Sequence, residues 1–305
     1  VTRLGVVVNP TAGKGRGTAA GRRTHELLRG RGHDVVDLSA SSLALATDRA
    51  RTAALEGLDA LVVVGGDGMV HLGVNVVAGT GVPLGIVAAG TGNDIARTLE
   101  LPKPGEVDTS VARIEHGLLV GPRRVDAVRV GPPGTAAHEW YLGVLSCGFD
   151  AAINARANEM TWPKGSLRYV RALLTELPTF APYGYRVTLD DRVWESTGTL
   201  VAVANAPWIG GGLKIAPDAV VDDGQLDVVV AGPFSKGGVV KIFPGIYGGK
   251  HVGHPSVDVF RSTSVLIEPL TSLGHLPPAA FADGERVGPL PLRVTVVPGA
   301  LPVLC

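Results

Sequence analysis

In the first third of the chain the apolar residues fall in short runs, Leu4–Val8, Leu61–Val64 and Leu84–Val87, and His33–Leu38 reads as a further strand. Compact runs rich in valine and leucine suit strands buried on both faces. Each run leads into glycine or polar residues and then into helical spacing. The helices expected there run to about Arg29, over Leu43–Leu55, over Met69–Ala78, and from Asn93 or Asp94, either of which can cap the helix it opens. Thr18 or Thr24 is expected near the start of the first. Four strand–loop–helix units in about 95 residues predict a parallel, doubly wound sheet. In such sheets the ligand lies beyond the carboxyl ends of the strands.

After strand Arg123–Val130, Gly131-Pro132-Pro133-Gly134 breaks the pattern. Short strand-like runs follow at Trp140–Leu145, Tyr185–Leu189, Leu200–Ala204, Leu226–Val230, Val257–Phe260 and Val265–Ile267, separated by Pro/Gly-rich turns. They predict a β-rich antiparallel domain, interrupted by one helical insert over about Ile153–Leu177. The expected organisation is an α/β N-terminal domain over 1–130 and a β-rich domain over 131–288. The last strand, Leu292–Val297, leaves its partner domain open, and 289–305 can return to the first domain.

A length of 305 residues agrees with two domains. Twenty-eight basic residues balance 28 acidic ones, which argues against a general nucleic-acid binder. Two cysteines, Cys147 and Cys305, are too few for a disulfide framework, so a reducing, cytoplasmic setting is expected. No apolar run reaches the roughly 20 residues a membrane span needs. The chain enters a strand directly after Val1, so no signal peptide is expected, and a trimmed upstream segment stays open.

Three glycine loops, 9–17, 65–68 and 90–93, fall on one edge of the expected sheet. Gly65-Gly66-Asp67-Gly68 precedes a helix, and helix N-termini offer free N–H groups to phosphate. An aspartate there repels phosphate unless Mg²⁺ lies between them. The alternative is a tight turn in which Asp67 is a helix cap. Lys14 is followed by Gly15 rather than Ser or Thr, so the first loop is not a P-loop. Taken alone, Asp222-Asp223-Gly224 and Asp283-Gly284 read as turns, and Glu285 as a solvated residue. His251 and His254 lack a third ligand at zinc spacing.

In order along the chain, Asn9-Pro10 with Gly13-Lys14-Gly15, Gly65-Gly66-Asp67-Gly68, Gly90-Thr91-Gly92-Asn93-Asp94, Asp126-Ala127-Val128-Arg129, Gly148-Phe149-Asp150, Gly210-Gly211-Gly212 through Ala216-Pro217-Asp218, Asp222-Asp223-Gly224 and Asp283-Gly284-Glu285 form a set. The set resembles the diacylglycerol kinase catalytic-domain family, in its bacterial lipid kinase group, which is similar to sphingosine and ceramide kinases. The resemblance covers nearly the whole chain. It implies an NAD-kinase/diacylglycerol-kinase-like α/β domain that binds ATP and a β-rich domain that helps hold a lipid. It implies a nucleotide site at Asn9, Pro10, Gly13, Lys14, Gly65, Gly66, Asp67, Gly68, Thr91 and Asn93, with Asp67 acting at the Mg²⁺–ATP site. Asp94 and Asp126 match acids that extend that network, Asp223 a structural Mg²⁺ ligand helped by main-chain oxygens of Val220 and Gln225, and Glu285 the general base.

The residue types suit phosphoryl transfer, which needs charge neutralisation, positioning and a carboxylate to receive the acceptor's proton. The chain departs from the family at Met69, where Thr is usual, at His71, where Asn is frequent, and after Asp126, where a Gly is common before the Arg. The expected activity is phosphorylation of a lipid hydroxyl, first of all diacylglycerol, with a sphingoid base, ceramide or phosphatidylglycerol as alternatives. The rivals are an NAD kinase and a non-catalytic lipid-binding protein. Arg156, Lys164, Arg168 and Arg171 beside Trp162, Leu167 and Tyr169 offer a seat on an anionic membrane surface, against a plain solvated face. Trp208, Ile209 and Leu213 can line an acyl groove or simply pack. A homodimer stays open.

Overall fold

A computed structural model describes residues 2–136, 138–163 and 166–305, Ser166 by its backbone only. The chain divides into two compact units, Val1–Ala127 with Pro298–Cys305, and Val128–Val297.

In the first unit, strands Arg3–Val8, Asp34–Asp37, Ala60–Gly65 and Leu84–Ala88 are parallel. Asp34–Asp37 lies at the edge, then Arg3–Val8, Ala60–Gly65 and Leu84–Ala88, with Val303 and Leu304 of the last strand beside Leu84–Ala88. Ala60–Gly65 is buried at every position, as an unbroken apolar run requires. Helices Ala12–Gly30 and Val107–Val120 pack together, as do Leu43–Leu55 and Asp67–Val77. The second strand goes to one side of the first and the third to the other. The order therefore reverses between the ends of Arg3–Val8 and Ala60–Gly65, which creates a crevice there.

Among the described residues the second unit carries two larger antiparallel sheets and a two-stranded one, Trp208–Ile209 with Leu213–Lys214. One runs Val257–Ser262, Leu226–Ala231, Leu200–Ala204, Val144–Gly148, Ala280–Ala282, Glu285–Gly288. The other includes Val193–Gly198, Tyr183–Thr188, Ser264–Pro269 and Leu292–Val297 of the last strand. The two-residue period of a strand divides the first sheet's side chains between two cores. Val201, Val203, Val228 and Val230 join Tyr185, Val265 and Val294 in one. Ala202, Ala204, Val229 and Ala231 face the other, with Phe149, Leu173 and Val239 from helices Phe149–Glu159, Ser166–Glu176 and Lys236–Ile246.

Several local expectations change. The helical insert is two helices, and Trp140–Leu145 is two strands, Glu139–Tyr141 and Val144–Gly148. Thr24 does not start its helix: it is buried in mid-helix and donates to the Ala20 carbonyl at 2.8 Å. The entry is a left-handed turn at Gly13, Lys14 and Gly15. Helix Lys236–Ile246 escapes notice because Gly237, Gly238 and Pro244 dilute its pattern. Helix Val107–Val120, a further element beyond those expected, carries a stripe of Val107, Val111 and Ile114.

Candidate functional site

At the crevice of the first unit, three glycine loops touch through their backbones. A Cβ on Gly90 would stand 2.4 Å from Cα of Gly66, and one on Gly13 would stand 2.1 Å from the Ala89 carbonyl oxygen. No side chain fits at either contact. The amide of Asn9 donates to Val64, and those of Ala89 and Gly90 donate to Gly65. Arg16 reaches from the first loop to the Gly90 carbonyl at 3.4 Å. The Asn93 side chain closes the third loop, accepting from Gly90 N–H and donating to its carbonyl, each at 3.0 Å. Lys14 and Thr91 are exposed beside these loops, Pro10 likewise.

Asp67 opens helix Asp67–Val77, yet its carboxylate serves another helix. Oδ1 accepts from Ile95 N–H at 3.2 Å, the second residue of Asp94–Thr98. Asn93 stands at that helix's cap position but gives it no side-chain bond. Asp67 is thus a cap, but of a neighbour 28 residues away. It remains half-buried, next to amides that point out of a helix N-terminus. Asp94 is buried and paired with Arg97. Asp126 is buried and accepts from Gly299 N–H at 2.8 Å, which ties its strand to the last one. Met69 is buried under Gly65, so no hydroxyl replaces the missing threonine there.

In the second unit, Asp283 and Gly284 have φ of 52° and 88° and form a two-residue turn between Ala280–Ala282 and Glu285–Gly288. Positive φ at both central positions is the hairpin geometry that Asp-Gly favours. The Asp283 carboxylate accepts from the N–H groups of Leu142, Gly143 and Val144 at 2.9, 2.9 and 3.2 Å. Asn158, on helix Phe149–Glu159, donates to the Gly284 carbonyl at 3.1 Å. The turn is therefore fixed from both sides. Glu285 follows it, half-buried, with no described residue donating to its carboxylate.

Asp223 caps its own turn through Gln225 N–H at 3.0 Å, and its other oxygen is held by Arg261. Arg261 also opposes Asp227, whose carboxyl is raised by burial and by the charges of Asp223 and Asp218. A cation held by Asp223 with the main chain of Val220 and Gln225 would compete with that guanidinium. Among the described residues no group of three or more His, Cys, Asp or Glu side chains could hold a metal ion.

Behind the first sheet of this unit lies an apolar cavity of about 60 Å³. Ile209 and Leu213, which flank the triple glycine, line it together with Phe149, Leu173 and Phe243; Trp208 does not. Two polar members of the lining, Asp150 and His251, stand in the sequence as part of the Gly148-Phe149-Asp150 motif and as an unsupported zinc candidate, with nothing to show that they share one space. His251 sends Nε2 to the Ile215 carbonyl at 2.9 Å, and His254 Nδ1 accepts from Ser256 N–H, so the two histidines have separate duties. Of the insert's basic residues, Arg156 is paired with Glu159 and Glu176. Arg168 and Arg171 hold the carbonyls of Pro163 and Trp162, Arg171 also lying 5.4 Å over the Trp162 ring. Lys164 lies outside the described residues. Trp162, Leu167 and Leu174 are exposed, whereas Tyr169 turns into the cavity. Among the described residues no helix is long and apolar enough to cross a membrane.

Comparison with known proteins agrees with this geometry. Residues 3–130 match the model of the diacylglycerol kinase catalytic domain, and residues 143–305 match that of the YegS C-terminal NAD kinase beta sandwich-like domain. A diacylglycerol kinase of Mycobacterium tuberculosis is 34% identical over 308 residues, covering 100% of this chain and 95% of that protein. The crystal structure of a diacylglycerol kinase from Bacillus anthracis superposes with a TM-score of 0.69 at 19% identity, covering 99% of this chain and 96% of that one. Yeast NADH kinase shares the fold with a TM-score of 0.54 at 10% identity, covering 99% and 82%. With both parts of the chain matched, and a relative of that identity along its whole length, the chain belongs to the diacylglycerol kinase family and is a lipid kinase.

Proposed function

We propose that this lipid kinase takes its phosphoryl group from ATP, as the magnesium complex, and passes it to a lipid hydroxyl. Diacylglycerol is the reference acceptor, by analogy with the relative's name; a sphingoid base, ceramide and phosphatidylglycerol are the alternatives. The observation that carries the reading is the meeting of three glycine loops, backbone to backbone, at the point where the parallel sheet reverses its strand order. Asn9, Pro10, Gly13, Lys14, Gly65, Gly66, Gly68, Thr91 and Asn93 form the nucleotide's bed, where the glycines leave room for phosphate beside a helix N-terminus. Asp67 fits a magnesium ion, because a carboxylate beside phosphate-binding amides otherwise repels the ligand it borders. Magnesium supplies positive charge against the phosphates when bound. Asp94 and Asp126 shape the neighbourhood through Arg97 and Gly299.

The acceptor oxygen attacks the γ-phosphorus, the bond to the β-γ bridging oxygen breaks, and ADP leaves. Glu285 receives the hydroxyl proton. Its carboxylate is uncommitted, and the turn before it is held by Asp283 and Asn158, which suits a base that must stay in place. The apolar side chains around this small cavity, Ile209, Leu213 and Phe243 among them, offer the acyl part of the lipid a surface to pack against. Exposed Trp162, Leu167 and Leu174, with Arg168 and Arg171, form the face that meets the membrane surface peripherally. Replacing both arginines with glutamate weakens binding to anionic vesicles; unchanged binding ends that part.

Incubation of the purified chain with labelled ATP, Mg²⁺ and the four lipids in mixed micelles, with NAD in parallel, tests the whole reading. Label should enter a lipid and not NAD, and should vanish with Glu285→Ala. Label in NAD alone would make the chain a nucleotide kinase, and label in nothing would leave a lipid-binding protein.

A further inference from the structure

A second, wider cleft of about 360 Å³ lies wholly within the second unit. That volume falls among those of small-molecule sites, about 300–1,000 Å³. Arg129 of strand Arg123–Gly131 and Arg293 and Thr295 of the last strand line it, with Thr135 and His138 from the turn that follows Gly131. Among the described residues no carboxylate lines it. Arg129 closes the stretch Asp126-Ala127-Val128-Arg129, and the sites described above give it no task. Its guanidinium carbon lies 5.8 Å over the Trp140 ring, and that ring meets the cleft's His138 edge-on at 5.5 Å. Stacking orders the planar fork without using its five N–H groups. Among the described residues Arg129 has no hydrogen bond or ion pair. Arg293 donates once, at 3.4 Å, to the Ser264 hydroxyl, which lies 3.4 Å from Thr295 Oγ1 beside the cleft. Elsewhere Arg97, Arg156, Arg186 and Arg261 each pair with a carboxylate; among the described residues the two arginines of the cleft pair with none.

Two permanent positive charges without a counter-charge raise the potential in a concave space, and a bound anion lowers it. Guanidinium forks match phosphate oxygens two at a time. Their two charges balance a phosphomonoester, which carries about −1.5 to −2 near pH 7, better than a diester with one. The cleft has room for more than a bare phosphate, and the Thr135 and Thr295 hydroxyls suit a small polar body. We infer that the cleft of Arg129 and Arg293 binds a phosphomonoester on a small polar body, borne by a free molecule or by a lipid headgroup. The inference stands on this cleft alone and goes beyond the nucleotide and acceptor sites proposed above.

The test is calorimetric titration of the full chain, without nucleotide, with glycerol 3-phosphate, dimethyl phosphate and glycerol. Glycerol 3-phosphate should bind at least about tenfold tighter than the monoanionic diester, and glycerol should not bind. Arg129→Gln and Arg293→Gln change exposed strand positions, so the thermal transition should be kept. Each should weaken glycerol 3-phosphate about tenfold, as loss of a charged donor implies. Lys14→Gln, in the first glycine loop, should leave that affinity unchanged. An equal loss in Lys14→Gln would place the ester in the nucleotide bed and overturn the inference, as would binding that neither arginine variant weakens. Cosedimentation with phosphatidylcholine vesicles that contain phosphatidic acid or phosphatidylglycerol supplies the lipid arm. A preference for phosphatidic acid that both arginine variants lose, without binding of glycerol 3-phosphate, assigns the ligand to a headgroup. Binding of glycerol 3-phosphate assigns it to a free ester. Equal retention on both vesicles with no binding of the soluble ester leaves a plain charged face and overturns the inference.

Discussion

The two units build their sites from different materials. The parallel unit uses backbone: glycine contacts at Gly13, Gly66 and Gly90, amides, and one half-buried carboxylate. The β-rich unit uses side chains: an aspartate gathering three amides, a glutamate at a hairpin, and an apolar cavity whose lining includes Asp150 and His251. A backbone site tolerates no added atom, because nothing beside it can turn away. A side-chain site degrades by degrees, according to what each group contributes. Substitution should therefore act as an on–off switch in the first unit and in measured steps in the second.

The hardest test of this contrast is Gly90→Ala. Its methyl would meet main chain at 2.4 Å, so the loops must separate. ATP binding by calorimetry should fall at least about a hundredfold, and stability by about 2–4 kcal/mol. Normal ATP affinity in a folded variant would remove the backbone account. Next is Glu285→Gln, which should lower kcat by about 10²–10⁴ with the KM for ATP unchanged, as loss of a general base implies. A shift confined to KM would make Glu285 a binding group. Asp283→Ala removes acceptors from three amides and should cost about 2–4 kcal/mol in denaturant unfolding, with kcat reduced as well. Stability lost without any change in kcat would detach the turn from the chemistry.

The fourth test is pH-dependent. Asp150 has its carboxyl raised to about 6 in the folded protein, above its ordinary value of 3.8. A raised folded pKa means that burial favours the protonated form, so the stability this group contributes is present at acid pH and lost as pH rises through about 6. Asp150→Asn should thus unfold at higher denaturant than the unmodified chain at pH 8, by about 1–3 kcal/mol. The advantage should shrink between about pH 7 and pH 4. An advantage independent of pH would place the effect elsewhere. The smallest effect is expected at Arg261, whose pair with Asp223 is largely exposed. Arg261→Gln should cost under about 1 kcal/mol. A melting temperature that gains Mg²⁺ dependence only in the variant would show guanidinium and cation competing for one carboxylate.

The contrast also explains what could be read in advance. Backbone sites are written locally. A glycine flags a close approach wherever it sits, so Gly65-Gly66-Asp67-Gly68 and Gly90-Thr91-Gly92 stood out, as did the apolar runs that carry them. Side-chain sites depend on partners remote in sequence. Asp283 looked like a turn residue, and so it is, but its three amides lie 139 to 141 residues away. In the sequence Asp67 reads as the cap of its own turn, whereas in the fold it caps the helix of the next loop. His251 lacks zinc partners in the sequence, and in the fold it lines a cavity assembled from stretches of chain between Phe149 and Val257.

The sequence by itself determined the two textures, parallel α/β followed by antiparallel β, because strand burial and turn chemistry act over a few residues. It also determined the glycine loops and their acids, whose order carries the family. Tertiary structure alone decided which carboxylates are engaged and by what. It also decided where the last strand pairs in each unit, and that Asp150 and His251 share one apolar space. Those outcomes follow from long-range packing, in which a residue's role depends on neighbours that no local pattern names.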